Sequence, residues 1–301
     1  MADIYARGFI EELQSNLNVK EPVKARYVLN QLDLVDSVTQ EEAISALNRT
    51  EADFVIPLII GVLAERQDLA EACPSLRQVL LSKALSAKDQ FLDLFRVEKD
   101  MAKKMVFTET AGEVEMKEAG PIIRRFLSWE RDGRLLQQAI KALGKIGDVD
   151  SVLPISEFLY SWNAELMIAS IVALEQIGSH DALERLAKRL GSDRDVDHII
   201  LETFATSRRL EALEKLNDAL SSTCSRIRKE AKRRLARAGE RCAPLLLKNL
   251  SSQDPYLLVD TIDILGNIEH RSRDSAMYRS FEGPRQEAKI SRFLRSHRAR
   301  H

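Results

Sequence analysis

The sequence has little of the residues that build turns, and it lacks a long apolar run. Only 12 of its 301 residues are glycine and 8 are proline, while 45% are hydrophobic and 30% are charged, a balance that favours helices over turn-rich sheet proteins. The longest apolar run, residues 54–63, is interrupted by Pro57 and is far shorter than the roughly 20 residues that span a bilayer. The first ten residues carry an early acid and no apolar signal core. We therefore expect a helical, cytoplasmic protein without a transmembrane segment.

Residues that carry covalent or metal chemistry are also scarce. The three cysteines, Cys73, Cys224 and Cys242, are odd in number and lack CxxC spacing, which argues against a disulfide framework or a structural zinc site. We interpret them as small core residues. The five histidines form no HExxH motif, and the chain has no GxSxG, P-loop or GxGxxG motif. We expect no metal site, no cofactor and no catalytic residue, although catalytic groups converging from separate repeats would leave no motif in one sequence.

Charge is distributed unevenly along the chain. The formal net charge is -1. Residues 1–221 hold 27 Lys and Arg against 37 Asp and Glu, whereas residues 222–301 hold 18 against 9. Such asymmetry steers an acidic partner or a nucleic acid towards the basic end.

A short phrase recurs with a fixed period in the second half of the sequence. Residues 142–147 read ALGKIG and residues 173–178, 31 positions later, read ALEQIG; related phrases occupy 234–239 and 265–268. Self-similarity at this period is typical of repeat proteins, whose units bury their apolar faces against their neighbours. The pattern predicts five helix pairs: 118–130 with 133–146, 149–160 with 163–177, 181–190 with 194–206, 209–220 with 223–238, and 241–250 with 254–268.

Capping residues support these boundaries. Asp150, Asp181 and Asp254 are predicted N-caps, because a carboxylate accepts the free amide hydrogens of a first helical turn. Gly147, Gly178 and Gly239 are predicted to follow helix ends, where a left-handed residue is tolerated.

The repeated residues resemble a known family. Residues 225–239, SRIRKEAKRRLARAG, and residues 254–268, DPYLLVDTIDILGNI, are similar to HEAT repeats of the short bacterial type that also occurs in phycobilisome bilin lyases. The resemblance covers residues 118–270 and implies an all-α fold, an α-solenoid of antiparallel helix pairs. It also implies that the second helix of each pair lines a concave face. A bilin lyase-like enzyme is suggested by the repeat type alone, which many non-enzymes share.

The regions outside the repeats have different compositions. Residues 1–105 are predicted to be helical, either as a degenerate continuation of the array or as a separate cap. Residues 106–117 combine glycine, threonine and acids, which indicates an acidic surface connector and the only domain boundary. Residues 271–301 contain eight arginines and one lysine. We expect this basic C-terminal tail to be mobile, to dock in the groove, or to contact nucleic acid or anionic lipid.

Two of the second helices carry candidate partner-binding residues. Residues 166–174 are apolar nearly all round, so their side chains are either covered by neighbouring helices or exposed as an interaction patch. The helix predicted at 223–238 carries seven cations with only Glu230 and Glu240 nearby, which indicates an anionic partner. The predicted partner-binding residues are Lys141, Ile168, Ile171, Val172, Arg226, Lys229, Lys232, Arg233, Arg237, Asp260 and Asp263.

The two tryptophans leave a choice open. Trp129 and Trp162 lie at predicted helix boundaries, where packing between helices is the more common role and stacking on a nucleic-acid base is the alternative.

Taken with the missing catalytic motifs, the repeats favour a non-catalytic scaffold or adaptor that binds another protein through its concave face. Nucleic-acid binding at the basic end is the second hypothesis.

Overall fold

The computed structural model describes residues 2–272, with side chains from residue 6 to residue 268. This range contains α-helices and short 3-10 turns and no strand. From residue 273 onwards the predicted basic tail lies outside the described residues. The helices are α1 (Ala2–Asn18), α2 (Pro22–Leu29), α3 (Ser37–Arg49), α4 (Ala52–Glu65), α5 (Leu69–Ala72), α6 (Pro74–Ser86), α7 (Lys88–Val97), α8 (Met101–Glu113), α9 (Gly120–Trp129), α10 (Gly133–Ile146), α11 (Val152–Glu157), α12 (Ala164–Ile177), α13 (His180–Arg189), α14 (Arg194–Thr206), α15 (Leu210–Asp218), α16 (Ser225–Ala238), α17 (Ala243–Asn249) and α18 (Pro255–Ser272).

The chain divides into two compact units. Residues 1–190 form the first unit, with α1 to α13, and residues 191–301 form the second, with α14 to α18 in its described part. The predicted boundary at residues 106–117 is therefore wrong. All ten helices predicted between residues 118 and 270 are present, and the fold is the predicted all-α solenoid. Between residues 2 and 272, no helix is both long and apolar enough to cross a membrane.

The segment predicted as a surface connector is largely a buried helix. Most of it belongs to α8, where Thr108 is fully buried. The polar residues that suggested a loop exposed to water are bonded to other residues of the protein. The Thr108 hydroxyl donates to a carbonyl one turn earlier, and Arg77 of α6 pairs with Glu109 at 2.5 Å and with Glu113 at 2.6 Å. The threonines and acids of this segment therefore stabilise a helix, which composition alone did not reveal.

In the first unit, α8, α10 and α12 pack side by side through small residues. A Cβ atom added to Gly112 of α8 would lie 2.9 Å from Ala142 Cα of α10, and one added to Gly144 would lie 2.7 Å from Ala173 Cα of α12. Real Cβ atoms essentially never approach so closely. Gly112 and Gly144, the second of which belongs to the recurring phrase, thus allow backbones to come into contact where a larger residue would hold the helices apart.

The ends of these helices follow common capping rules, but not all at the predicted residues. Gly147 and Gly178 end α10 and α12 with φ of 71° and 62°, as predicted. The prediction that Asp150 is an N-cap is wrong, because Asp150 lies within a 3-10 turn. Asp181 is also wrong, because the side chain that caps α13 is Ser179, which accepts a hydrogen bond from the Ala182 amide.

In the second unit, α14, α16 and α18 pack side by side, and α15 and α17 lie behind them. The buried apolar residues include Phe204 of α14, Leu235 of α16 and Ile264 of α18. Asp254 caps α18 as predicted, since its Oδ1 accepts a hydrogen bond from the Tyr256 amide at 2.9 Å. Each of the three second helices therefore has one buried side and one side that contributes to a common surface.

The close contact at Gly144 can be tested by comparing two substitutions within one unit. Gly144→Ala should destabilise the first unit by about 1–2 kcal/mol, because the strain of overpacking exceeds the gain in helix propensity of about 1 kcal/mol. Gly8→Ala in α1 is the matched control, since a Cβ atom there meets nothing within 4 Å. Thermal unfolding followed by circular dichroism measures both. If Gly144→Ala is as stable as Gly8→Ala, this contact does not limit how closely α10 and α12 can pack.

Candidate functional site

The basic helix α16 has a buried and an exposed side. Ile227, Ala231 and Leu235 are buried, at intervals of one helical turn. Lys229, Arg233 and Arg237 follow the same spacing on the opposite side and are exposed. Residues four positions apart are neighbours on a helix surface, so these three cations form a single row, here called the basic row.

Lys232 does not belong to this row, because it pairs with the neighbouring helix. Its Nζ lies 2.8 Å from Asp260 and 2.7 Å from Asp263 of α18. Burial lowers the pKa of Lys232, but the hydrogen bonds and charges of Asp260 and Asp263 outweigh that effect, and the pKa lies above its usual value. Lys232, Asp260 and Asp263, all predicted to bind a partner, are therefore bound to one another.

Arg234 is a charged residue within the core and was not predicted as a site residue. Its side chain is 1% exposed. Its guanidinium pairs with Glu230 on α16 and, at 3.1 Å, with Glu202 on α14. Its Nη2 also lies 3.0 Å from Nδ1 of His198 and donates to the His198 carbonyl oxygen at 3.2 Å. A buried charge is tolerated only when paired and hydrogen-bonded in this way.

Glu230 is held in its charged form by this arrangement. Burial raises the pKa of Glu230, but hydrogen bonds from Arg234 and Arg233 more than compensate, and the pKa lies below its usual value. Glu230 also receives the Arg233 guanidinium at 2.5 Å. The Glu230 carboxylate thus pairs with one buried and one exposed arginine of the same helix.

A second charged residue in the core is Asp197 of α14, which is 3% exposed. Its Oδ1 accepts a hydrogen bond from the Gly191 amide at 2.8 Å, and its Oδ2 lies 2.7 Å from the Arg226 guanidinium. Arg226, a predicted partner-binding residue, therefore has an internal role. The sequence contained a signal for both buried charges, because Asp197 and Arg234 occupy positions within the apolar stripes of their helices.

The expectation that only Glu230 and Glu240 offset the cations of α16 is thus wrong. Helices α14 and α18 supply four further carboxylates, those of Asp197, Glu202, Asp260 and Asp263. Arg228 instead donates to two backbone carbonyls. Of the seven cations, Arg228, Lys229 and Arg237 have no carboxylate partner in the part of the chain that the structure describes, and of these three only Lys229 and Arg237 lie in the basic row.

The remaining predicted residues lie in the first unit, where the apolar helix α12 is only partly covered. Ile171 is fully buried, whereas Ile168 and Val172 are 42% and 40% exposed. Lys141 of the neighbouring α10 is exposed as well. Both interpretations of this helix therefore hold for part of it: packing explains Ile171, and Ile168 with Val172 forms an exposed apolar pair.

The tryptophans and one cysteine differ from the interpretation given to them. Trp129 is 83% exposed and Trp162 is fully exposed, so the prediction that they pack between helices is wrong.

Cys73 and Cys242 are buried, and burial raises the pKa of Cys242 to about 11. Cys224 is half-buried, and the backbone amides at the start of α16 lower its pKa. Among the described residues, no cluster of His, Cys, Asp and Glu could hold a metal ion.

The role of the buried guanidinium can be measured with two arginines of the same helix. Arg234→Met should destabilise the protein by about 2–3 kcal/mol, because it removes the buried cation that Glu230 and Glu202 were placed to match. Arg237→Met removes an exposed cation without a carboxylate partner and should change stability by less than about 0.5 kcal/mol. Urea denaturation gives both values. Equal effects of the two substitutions would show that the buried ion pairs contribute nothing to the folded state.

Comparison with known proteins gives a family match and several distant structural likenesses. No curated protein matches the sequence. An engineered protein shares 20% sequence identity at a TM-score of 0.37, with 88% of this chain and 84% of that chain covered. Human deoxyhypusine hydroxylase in complex with glycerol shares 14% identity at a TM-score of 0.29, with 89% and 98% covered. These likenesses indicate no function. The family model for HEAT repeats matches residues 124–202, so this part of the chain is built of HEAT-like repeats.

Proposed function

We propose that this chain is a non-catalytic scaffold that binds an acidic partner protein through the exposed sides of its second helices. The observation that carries the proposal is the basic row of α16. Like charges four residues apart on a helix destabilise it. Within the basic row, Arg233 pairs with Glu230, whereas Lys229 and Arg237 have no carboxylate partner among the described residues. An acidic surface on a partner would supply the missing charges.

The exposed apolar pair of the first unit supports the same proposal. Ile168 and Val172 lie one turn apart on α12, a second helix of the segment that matches HEAT repeats. HEAT repeats generally mediate protein interactions. Interfaces gain most of their affinity from a few apolar or aromatic side chains that become buried. Charge at α16 and apolar contact at α12 would thus contribute to binding in different ways.

A protein partner fits this surface better than a nucleic acid does. The carboxylates of Glu202 on α14 and Asp263 on α18 already pair with Arg234 and Lys232 of α16. Few cations of α16 are therefore left for a phosphate backbone, which carries closely spaced negative charges. A folded partner can instead place a few carboxylates opposite the cations and avoid the acidic neighbours.

Charge reversal in the basic row tests the electrostatic part of the proposal. We expect Lys229→Glu to weaken binding of the native partner about fivefold, since an exposed ion pair contributes up to about 1 kcal/mol. Arg208→Glu is the matched control, because Arg208 is an exposed cation of the same unit outside α16. The partner is isolated on the intact protein from its native cell and titrated against each variant by calorimetry. An equal loss with both variants would mean that only net charge matters, and steeply salt-dependent binding to duplex DNA would favour the nucleic-acid hypothesis.

Substitution of the apolar pair tests the other part. We expect Ile168→Ser to weaken partner binding about tenfold, because a buried anchor residue contributes roughly 1–2 kcal/mol. Leu153→Ser is the control, since Leu153 is 58% exposed but lies on α11, a first helix. The same titration measures both variants. If the two have the same affinity as the unmodified protein, α12 is not part of the interface.

A further inference from the structure

A small charged cavity lies between α14 and α16 in the second unit. Its volume is about 180 Å³. Three arginines line it, Arg194 in the first turn of α14 and Arg226 and Arg233 on α16. The side chains of Leu201 and Ile227, both buried, form an apolar part of its wall. The cavity therefore combines several hydrogen-bond donors with a short apolar surface.

The carboxylates that also line this cavity are already occupied. Asp197 is bound by the Gly191 amide and Arg226, and Glu230 is bound by Arg233 and the buried Arg234. These contacts fix the positions of Arg226 and Arg233 without using all their donors, because a guanidinium carries five N–H groups. Their remaining donors are available to a ligand.

Arg194 is the cavity residue whose charge is not matched. It is exposed, and no carboxylate pairs with it among the described residues. The three arginines and two carboxylates that line the cavity leave one positive charge in excess. His198 also lines it, with Nδ1 3.4 Å from Glu230. A group with one negative charge would neutralise the cavity.

We propose that this cavity binds a single carboxylate side chain from an acidic protein segment, with Arg194 and Arg226 donating to its oxygens. Planar guanidinium groups match the geometry of a carboxylate, to which they donate two parallel hydrogen bonds. The methylene groups of a glutamate would contact Leu201 and Ile227. A polyanion such as a nucleic acid fits poorly, because Asp197 and Glu230 leave an excess of only one positive charge. This inference rests on the proposed function, in that it names the group an acidic partner would insert.

The cavity can be probed directly by NMR titration of the intact protein, without the partner. The probe is a Gly-Glu-Gly peptide blocked at both ends, and the arginine Nε–Hε signals report on binding. We expect saturable shifts, and a dissociation constant raised about tenfold by Arg194→Gln, because a hydrogen bond to a charged group contributes about 1.5 kcal/mol. Arg208→Gln removes the same charge elsewhere in the unit and should change the constant by less than about twofold.

Three results would overturn the proposal. The first is equal shifts with a Gly-Gln-Gly peptide, which carries no charge. The second is unchanged affinity in Arg194→Gln, an exposed position at which substitution leaves the core intact. The third is tighter binding of a phosphoserine peptide, which would assign the cavity to phosphate. These outcomes are separate from the fate of the proposed function, which depends on the partner's affinity for Lys229→Glu and Ile168→Ser.

Discussion

The buried guanidinium of Arg234 constrains the whole surface of the second unit. A charge removed from water has to be matched by opposite charges and hydrogen bonds, so Glu230 and Glu202 have to be close to it. Glu230 also pairs with Arg233. Arg233 and Arg226 both line the cavity between α14 and α16. Lys229 and Arg237, in the same exposed row as Arg233, have no carboxylate partner among the described residues. One internal ion-pair network thus decides which cations are available to a partner.

The first unit is organised by a different constraint, the absence of side chains at two positions. Gly112 and Gly144 allow α8, α10 and α12 to pack with their backbones in contact. Because the helices lie so close together, Ile171 is fully covered while Ile168 and Val172 remain partly exposed. Packing in one unit and charge pairing in the other therefore produce two chemically different surfaces from the same kind of helix pair.

The sequence predicted the helices well because each repeat contains its own periodic signal. The recurring phrase places α10 and α12, and Gly147 and Gly178 end them as expected. The site was harder to predict, because its ion pairs join residues on different helices, such as Lys232 and Asp260, 28 positions apart. A charge within an apolar stripe, as at Arg234, indicates burial, but the sequence does not show which carboxylates will meet it.

The helix α8 shows a second limit of composition as a signal. Its threonines and acids are typical of loops, yet each finds a partner within the helix or on α6. Such residues indicate a loop only when their hydrogen bonds are made to water, and that depends on what packs against the segment. The predicted connector therefore failed because of tertiary contacts that lie more than thirty residues away in the chain.

The exposure of both tryptophans determines how unfolding of this protein can be observed. An indole that already faces water in the folded state changes its emission wavelength little when the chain unfolds, and Trp129 and Trp162 are both of this kind. They also lie in the first unit, while the second contains no tryptophan. Intrinsic fluorescence would therefore report weakly on the first unit and would miss the unfolding of the second unit, whose α16 carries the basic row.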